Sequence, residues 1–167
     1  QPGSSIKPLT VYAAALESGK MPFTVLDDSP VSFKSPDGKW TPQNYDYKYR
    51  GLITMRTAVQ WSINTYAVQL LDKIGIQKAF DMGKSLGLPL IDTAGKNDLA
   101  LAPLSLGGLT RGVTPVQMAA AYGSFGNGGL YIKPHFITKI EDSNGVKIYE
   151  YKPQYTRAMS QETAWLM

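Results

Sequence analysis

The 167-residue chain contains no cysteine, which excludes disulfides, a thiol nucleophile and cysteine-ligated metals. That composition is compatible with life outside the cytoplasm. Histidine occurs once, at His135, after a proline in a strand-like stretch, and reads as structural. No run of about 18 apolar residues exists, so no segment is long enough to span a bilayer as a helix. A basic block is missing too: 17 Lys and Arg against 13 Asp and Glu give a net charge of +4, spread along the chain. A nucleic-acid binder concentrates its basic residues on one element, so the even spread argues against such a partner. The excess reads as an ordinary solvated surface, tolerant of anionic polymers. Internal repeats and low-complexity segments are absent.

What is present is 43% hydrophobic, enough for one globular domain with a sizeable core. Gln1 is not a natural start, and "SQETAWL" before Met167 reads as a helix just getting under way. Residues 1–167 are therefore expected to be part of one domain, cut at both ends. Leu9 to Glu17 is alanine-rich, apolar at helical spacing and stopped by Gly19. This predicts a helix over 5–18 with Pro8 in its first turn. Residues 21–50 carry four prolines and the cluster "NYDYKY" with no sustained period, which predicts a long irregular connection.

In "TMRTAVQWSINTYAVQLLDKIG", Ala58, Trp61, Ala67, Leu70 and Leu71 can line buried faces, while "WSIN" interrupts the run. Two helices meeting near Ser62 are expected, with Gly75 capping the second. "IQKAFDMGKSLG" predicts a short helix ended by Gly87, and "APLSLGGLTRG" a Gly-rich loop. "VTPVQMAAAYGSFGNGG" predicts a helix with a Thr-Pro start and a glycine stop. The period then changes to two, and "HFITKIED" and "KIYEYK" flank an Asn-Gly turn as a β-hairpin.

Two short patterns carry chemistry. Ser4 and Lys7 lie three apart at a helix start, so they share a face with Cβ atoms roughly 5–6 Å apart. Serine is a poor nucleophile until a base takes its proton. Lysine can be that base once desolvation or nearby positive charge brings its pKa far below about 10.4. Helix N–H groups beside the serine would favour a developing oxyanion. With 12 Ser and 13 Lys in 167 residues, about one Ser-x-x-Lys is expected by chance, so the pair alone is weak. Ser62-Ile63-Asn64 is the one Ser-x-Asn, and it breaks an otherwise helical run. Its hydroxyl can relay a proton and its amide can bind a carbonyl. A helix-capping serine beside a surface asparagine is the plainer alternative.

Ser-x-x-Lys, Ser-Asp-Asn and Lys-Thr-Gly together are the signature of class A β-lactamases and penicillin-binding proteins. The wider sequence resembles the transpeptidase domain of class A (bifunctional) penicillin-binding proteins. "QPGSSIKPLTVYAAALESG" is similar to that family's nucleophile helix. "NYDYKYRGLITMRTAVQWSINTYAVQLLDKIG" is similar to its segment leading through the second motif. "LSLGGLTRGVTPVQMAAAYGSFGNGG" is similar to its Gly-rich loop and following helix. These stretches cover about half of the chain, in the family's order.

The resemblance implies an α+β fold, mainly the helical portion of the serine β-lactamase/transpeptidase-like fold plus one β-hairpin, with the central sheet largely missing. It implies a peptidoglycan D,D-transpeptidase that cross-links stem peptides through a serine acyl-enzyme and is acylated by β-lactam antibiotics. Ser4 would be the nucleophile and Lys7 its activating base. Ser62 would pass a proton to the departing group, and Asn64 would hold the substrate's amide carbonyl. No metal or organic cofactor is implied. Lys-Thr-Gly occurs nowhere in the chain, so the remaining segments of the domain become partners that would supply it. The implied location is the outer face of the bacterial cytoplasmic membrane, anchored by an N-terminal segment not present here.

A serine β-lactamase and a non-catalytic penicillin-binding sensor remain as rival readings. No obvious deacylating base lies near the site, and Ser4, Lys7, Ser62 and Asn64 occur together, which disfavours each in turn. Asp27-Asp28 and Glu141-Asp142 are acidic pairs in loop or turn settings and define no metal site. Trp40, Tyr45, Tyr47 and Tyr49 can form a binding rim or, the preferred reading, pin the long connection to the core.

Overall fold

Between Lys7 and Glu17 the chain carries no charged side chain and is apolar on nearly every face. Only an enclosed helix satisfies that pattern. The computed structural model, which describes residues 1–35 and 38–167, places this helix at the centre of the molecule. It begins with a 3₁₀ turn at Gly3–Ile6, continues through a π turn at Pro8–Tyr12 and ends as α1 (Ala13–Glu17). Ala13 N–H donates five residues back to the Pro8 carbonyl, the wider register that defines the π turn. Ile6, Leu9, Val11, Ala13 and Ala15 are wholly buried. The helix expected over 5–18 is present, beginning slightly earlier.

The segment expected to be irregular contains three short strands: β1 (Val25–Asp28), β2 (Phe33–Ser35) and β3 (Gly38–Trp40). Residues 36 and 37 of that reading lie outside the described residues. β2 and β3 pair with each other, while β1 pairs antiparallel with β4 (Gly51–Thr54), aligning Val25 with Thr54 and Asp28 with Gly51. Three- and four-residue strands are too short to display a period, and the β1–β4 partner lies far along the chain.

α2 (Met55–Gln60) and α3 (Asn64–Ile74) meet at Trp61–Ile63, as the sequence predicts, and Gly75 ends α3 with a positive φ of 92°. Ala58, Ala67, Leu70 and Leu71 are buried. Trp61 is not: it is 61% exposed, and the Arg50 guanidinium lies 5.7 Å from its ring centroid. α4 (Ile76–Ser85) follows, then a small ladder of β5 (Asp92–Thr93) and β6 (Lys96–Asn97). The stretch read as a Gly-rich loop is partly helical, because Leu101–Leu106 forms α5 before Gly107 stops it in the left-handed region.

α6 (Pro115–Gly126) starts at Thr114, which forms a capping box with Gln117. β7 (Leu130–Ile132) pairs with β10 (Tyr155–Arg157), and between them stands the expected hairpin, β8 (Lys139–Glu141) with β9 (Lys147–Glu150). β8 is shorter than predicted, and His135 lies before it, exposed and stacked on Tyr151 at 3.6 Å. α7 (Gln161–Leu166) begins at Ser160, whose side chain accepts from Thr163 N–H. The α+β class holds, with more strand than one hairpin: the described strands form five separate two-stranded antiparallel ladders.

Candidate active site

Lys7 extends from the central helix and is 1% exposed. Its amine donates to Ser62 Oγ at 3.0 Å, to the Ser62 carbonyl at 2.7 Å and to Asn64 Oδ1 at 2.5 Å. Those are three acceptors for the three hydrogens of an ammonium. Burial strips water from the charge and lowers the Lys7 pKa from 10.5 to about 8. The lysine is thus no surface residue at a helix start, as its neighbours in sequence alone would suggest.

The two motifs meet because of the turn between α2 and α3. Ile63 is extended and 2% exposed, so it anchors the turn in the core and leaves Ser62 and Asn64 on either side of the anchor. Ile63 N–H donates to the Ala58 carbonyl at 2.9 Å, and Ser62 N–H to the Val59 carbonyl at 3.1 Å. Ser62 has a φ of 51°, a left-handed conformation that a residue with a Cβ rarely adopts. Asn64 Nδ2 donates to the Gln43 carbonyl at 2.7 Å. Its amide is therefore oriented from both ends, with one Nδ2 hydrogen left for a ligand carbonyl.

Ser4 is exposed in the 3₁₀ turn one turn before Lys7, whose N–H donates to the Ser4 carbonyl. Among the described residues its hydroxyl makes no hydrogen bond, and the Lys7 amine is engaged by Ser62 and Asn64 instead. The turn is held from outside: Tyr122 on α6 donates its hydroxyl to the Ser5 carbonyl at 2.7 Å, and Gln1 Nε2 reaches the Leu109 carbonyl at 2.7 Å. Gly107, with φ 78°, packs directly on this turn; a Cβ there would lie 2.2 Å from the Gly3 carbonyl oxygen. The Gly-rich stretch thus supports the Ser4 turn, backbone against backbone.

Sequence reading missed the groups beneath the Ser-x-Asn turn. Asp28, taken for one of an acidic pair in a loop, is a fully buried strand residue. It accepts from Asn44 Nδ2 at 2.7 Å, Arg50 N–H at 3.0 Å and the Thr65 hydroxyl. Asn44 itself is 3% exposed. Of the aromatics expected to pin the connection, Tyr45 at 93% and Tyr47 at 76% exposed do not, whereas Trp40 is half-buried and packs on Phe33 with ring centroids 6.1 Å apart. Tyr45 lines a recess of about 270 Å³ together with Asn44, Asp46, Arg50, Trp61 and Ser62. A buried acid that follows an exposed one in a four-residue strand looks like any surface acid in sequence, and only a longer alternation distinguishes it.

The arrangement provides an exposed hydroxyl, a buried amine of lowered pKa one turn away, a second hydroxyl on that amine and an oriented amide. That set suits nucleophilic catalysis with proton relay. A family model described as "Penicillin binding protein transpeptidase domain" matches residues 1–167. Penicillin-binding protein 1F of Bacillus subtilis (strain 168) is 39% identical over 168 residues, covering 100% of this chain and 22% of that protein. The chain thus spans about a fifth of that relative's length. The crystal structure of penicillin-binding protein 1A from Haemophilus influenzae superposes with a TM-score of 0.83 at 30% identity, covering 98% of this chain and 28% of that one. Penicillin-binding protein A of M. tuberculosis, solved as a penicillin G acyl-enzyme complex, shares the fold with a TM-score of 0.81 at 24% identity, covering 98% and 41% respectively. No helix among the described residues is long and apolar enough to cross a membrane. On the match of the family model to residues 1–167, the chain belongs to the penicillin-binding protein transpeptidase domain family.

Proposed function

We propose that this chain carries the acylating half of a peptidoglycan D,D-transpeptidase site. The observation that carries the reading is the Lys7 amine within 3.0 Å of both Ser62 Oγ and Asn64 Oδ1. With a pKa of about 8, roughly a tenth of Lys7 is neutral at pH 7. A neutral amine keeps two hydrogens for two of its three acceptors, releases the third and turns its lone pair to the Ser4 hydroxyl proton. As that proton moves to Nζ, the Ser4 oxygen bonds to the carbonyl carbon of a D-Ala-D-Ala peptide bond. The spare hydrogen of Asn64 Nδ2 holds the donor's amide carbonyl. The Lys7 proton then passes through Ser62 Oγ to the leaving nitrogen, the C–N bond breaks and D-alanine departs. An amine on a neighbouring stem peptide attacks the ester, loses a proton back along the same path and restores Ser4.

β-Lactams would acylate Ser4 in the same way. The lack of Lys-Thr-Gly in these residues supports reading them as part of one domain, whose other segments bind the substrate carboxylate. Relatives several times longer than this chain fit that reading. The site would face the outer side of the cytoplasmic membrane, with the anchor elsewhere in the protein. The test is to supply the intact protein with glycan strands bearing pentapeptide stems. Release of D-alanine with equimolar cross-link, abolished by Ser4→Ala, is the expected result. Hydrolysis without cross-links, or cross-linking by Ser4→Ala, would overturn it.

A further inference from the structure

α3 has no side-chain cap of its own, because the residue in the cap position is the apolar Ile63. Its first N–H groups are nonetheless satisfied. Asn44, 20 residues earlier, accepts from Asn64 N–H at 2.9 Å and from Thr65 N–H at 3.2 Å through the same Oδ1. A residue from a distant loop thus does what an N-cap Ser or Asp does locally. Asn44 is itself locked, since Nδ2 donates to Asp28 Oδ1 at 2.7 Å and to the Lys48 carbonyl at 2.9 Å. Asp28 is clamped in turn by the Thr65 hydroxyl and Arg50 N–H. The preceding residue, Gln43, receives the Asn64 side-chain amide.

Gln43 and Asn44 therefore fix both the backbone and the side chain of Asn64. We infer that Asn44, held by buried Asp28, is a positioning residue for acylation: it sets Ser62 and Asn64 at hydrogen-bond distance from the Lys7 amine. It acts through Asn64 and Thr65 and rests on the roles proposed above for Ser4, Lys7, Ser62 and Asn64. The left-handed Ser62 explains why a distant cap is needed. A strained three-residue turn persists only where its flanks are over-determined, and releasing Asn64 N–H lets the turn relax away from Lys7. Displacements of about 1 Å can cost on the order of a hundredfold in rate.

The experiment uses the intact protein and a fluorescent penicillin, with rates expressed per folded site and the noncovalent binding constant separated from the acylation rate constant. Asn44→Ala is expected to lower the acylation rate constant at least about tenfold. Leu88→Ala, a truncation of a buried core residue, lowers the melting temperature but leaves that rate constant unchanged. Asn44→Asp sets a second carboxylate against Asp28 and is expected to be slow as well. The double variant Asp28→Asn, Asn44→Asp restores one donor and one acceptor between the two positions and keeps an acceptor for Asn64 and Thr65. It is expected to recover most of the rate, and it decides the matter should Asn44→Ala fail to fold. An unchanged rate constant in Asn44→Ala, or a double variant as slow as Asn44→Asp, would overturn the inference. A wild-type protein that never acylates at Ser4 would instead remove the reading on which it rests.

Discussion

Lys7 Nζ lies 3.0 Å from Ser62 Oγ although 55 residues separate them in the chain. The contact joins the buried central helix to a strained turn, and each half explains the other. Lys7 is dry because its helix is enclosed, and an enclosed ammonium needs acceptors, which Ser62 and Asn64 supply. The same desolvation brings the amine close to the pKa a base needs near neutral pH.

Acylation of the intact protein should therefore rise with pH through about 8, as neutral Lys7 accumulates, and level off above it. Lys7→Ala should remove this limb and cost about 10²–10⁴-fold in rate. Stopped-flow acylation across pH checks both, and a profile flat through this range would show that Lys7 is not the base.

Stability should follow the same titration with a defined sign. The folded pKa of Lys7, about 8, lies below the unfolded value of 10.5, so between them the unfolded chain holds a proton the folded one has lost. Raising the pH through that window favours the folded state, and lowering it below 8 removes the gain. Denaturant melts of wild type and Lys7→Met should diverge in the wild type's favour from about pH 8 upward.

At the acidic end, Glu17 links α1 to the start of α7, accepting from Ser160 N–H at 3.1 Å and Ser160 Oγ at 2.9 Å. Burial alone would raise its pKa, but hydrogen bonds from Thr163 and Ser160 outweigh it and hold the carboxyl below its ordinary 4.5. Its stabilisation is present above that value and is lost as pH falls through the lowered folded pKa. The melting-temperature difference between wild type and Glu17→Gln should thus shrink on acidification. A difference that grows would contradict the depressed pKa.

Gly107→Ala should both destabilise the domain, by more than about 1 kcal/mol, and slow acylation. Its φ of 78° disfavours a side chain, and the new Cβ would meet the Gly3 carbonyl on the turn that carries Ser4. Calorimetry and penicillin labelling together test this; a variant normal in both would detach the Gly-rich loop from the site.

Much of this was legible in the sequence where the signal is local. Thr114-Pro115 with Gln117 marks the start of α6 within four residues, and "WSIN" marks a break between helices. The Asn-Gly signal placed the hairpin, although Gly145 alone has positive φ, in a longer loop closed by Asp142. The β1–β4 ladder was not legible, because its strands are four residues long and their pairing is non-local. Nor was α5, because leucines between glycines read equally as loop. The site divides along the same line. Ser4, Lys7, Ser62 and Asn64 sit in short motifs, whereas Asp28 and Asn44 acquire meaning only when a distant strand and loop come together under α3.

The most direct measurement is mass spectrometry of the intact protein after brief exposure to penicillin, with peptide mapping of the adduct. The geometry predicts one covalent adduct, on Ser4, the exposed hydroxyl one turn before the buried lysine. An adduct on Ser5 or Ser62, or none at all, would contradict the assignment of the catalytic serine.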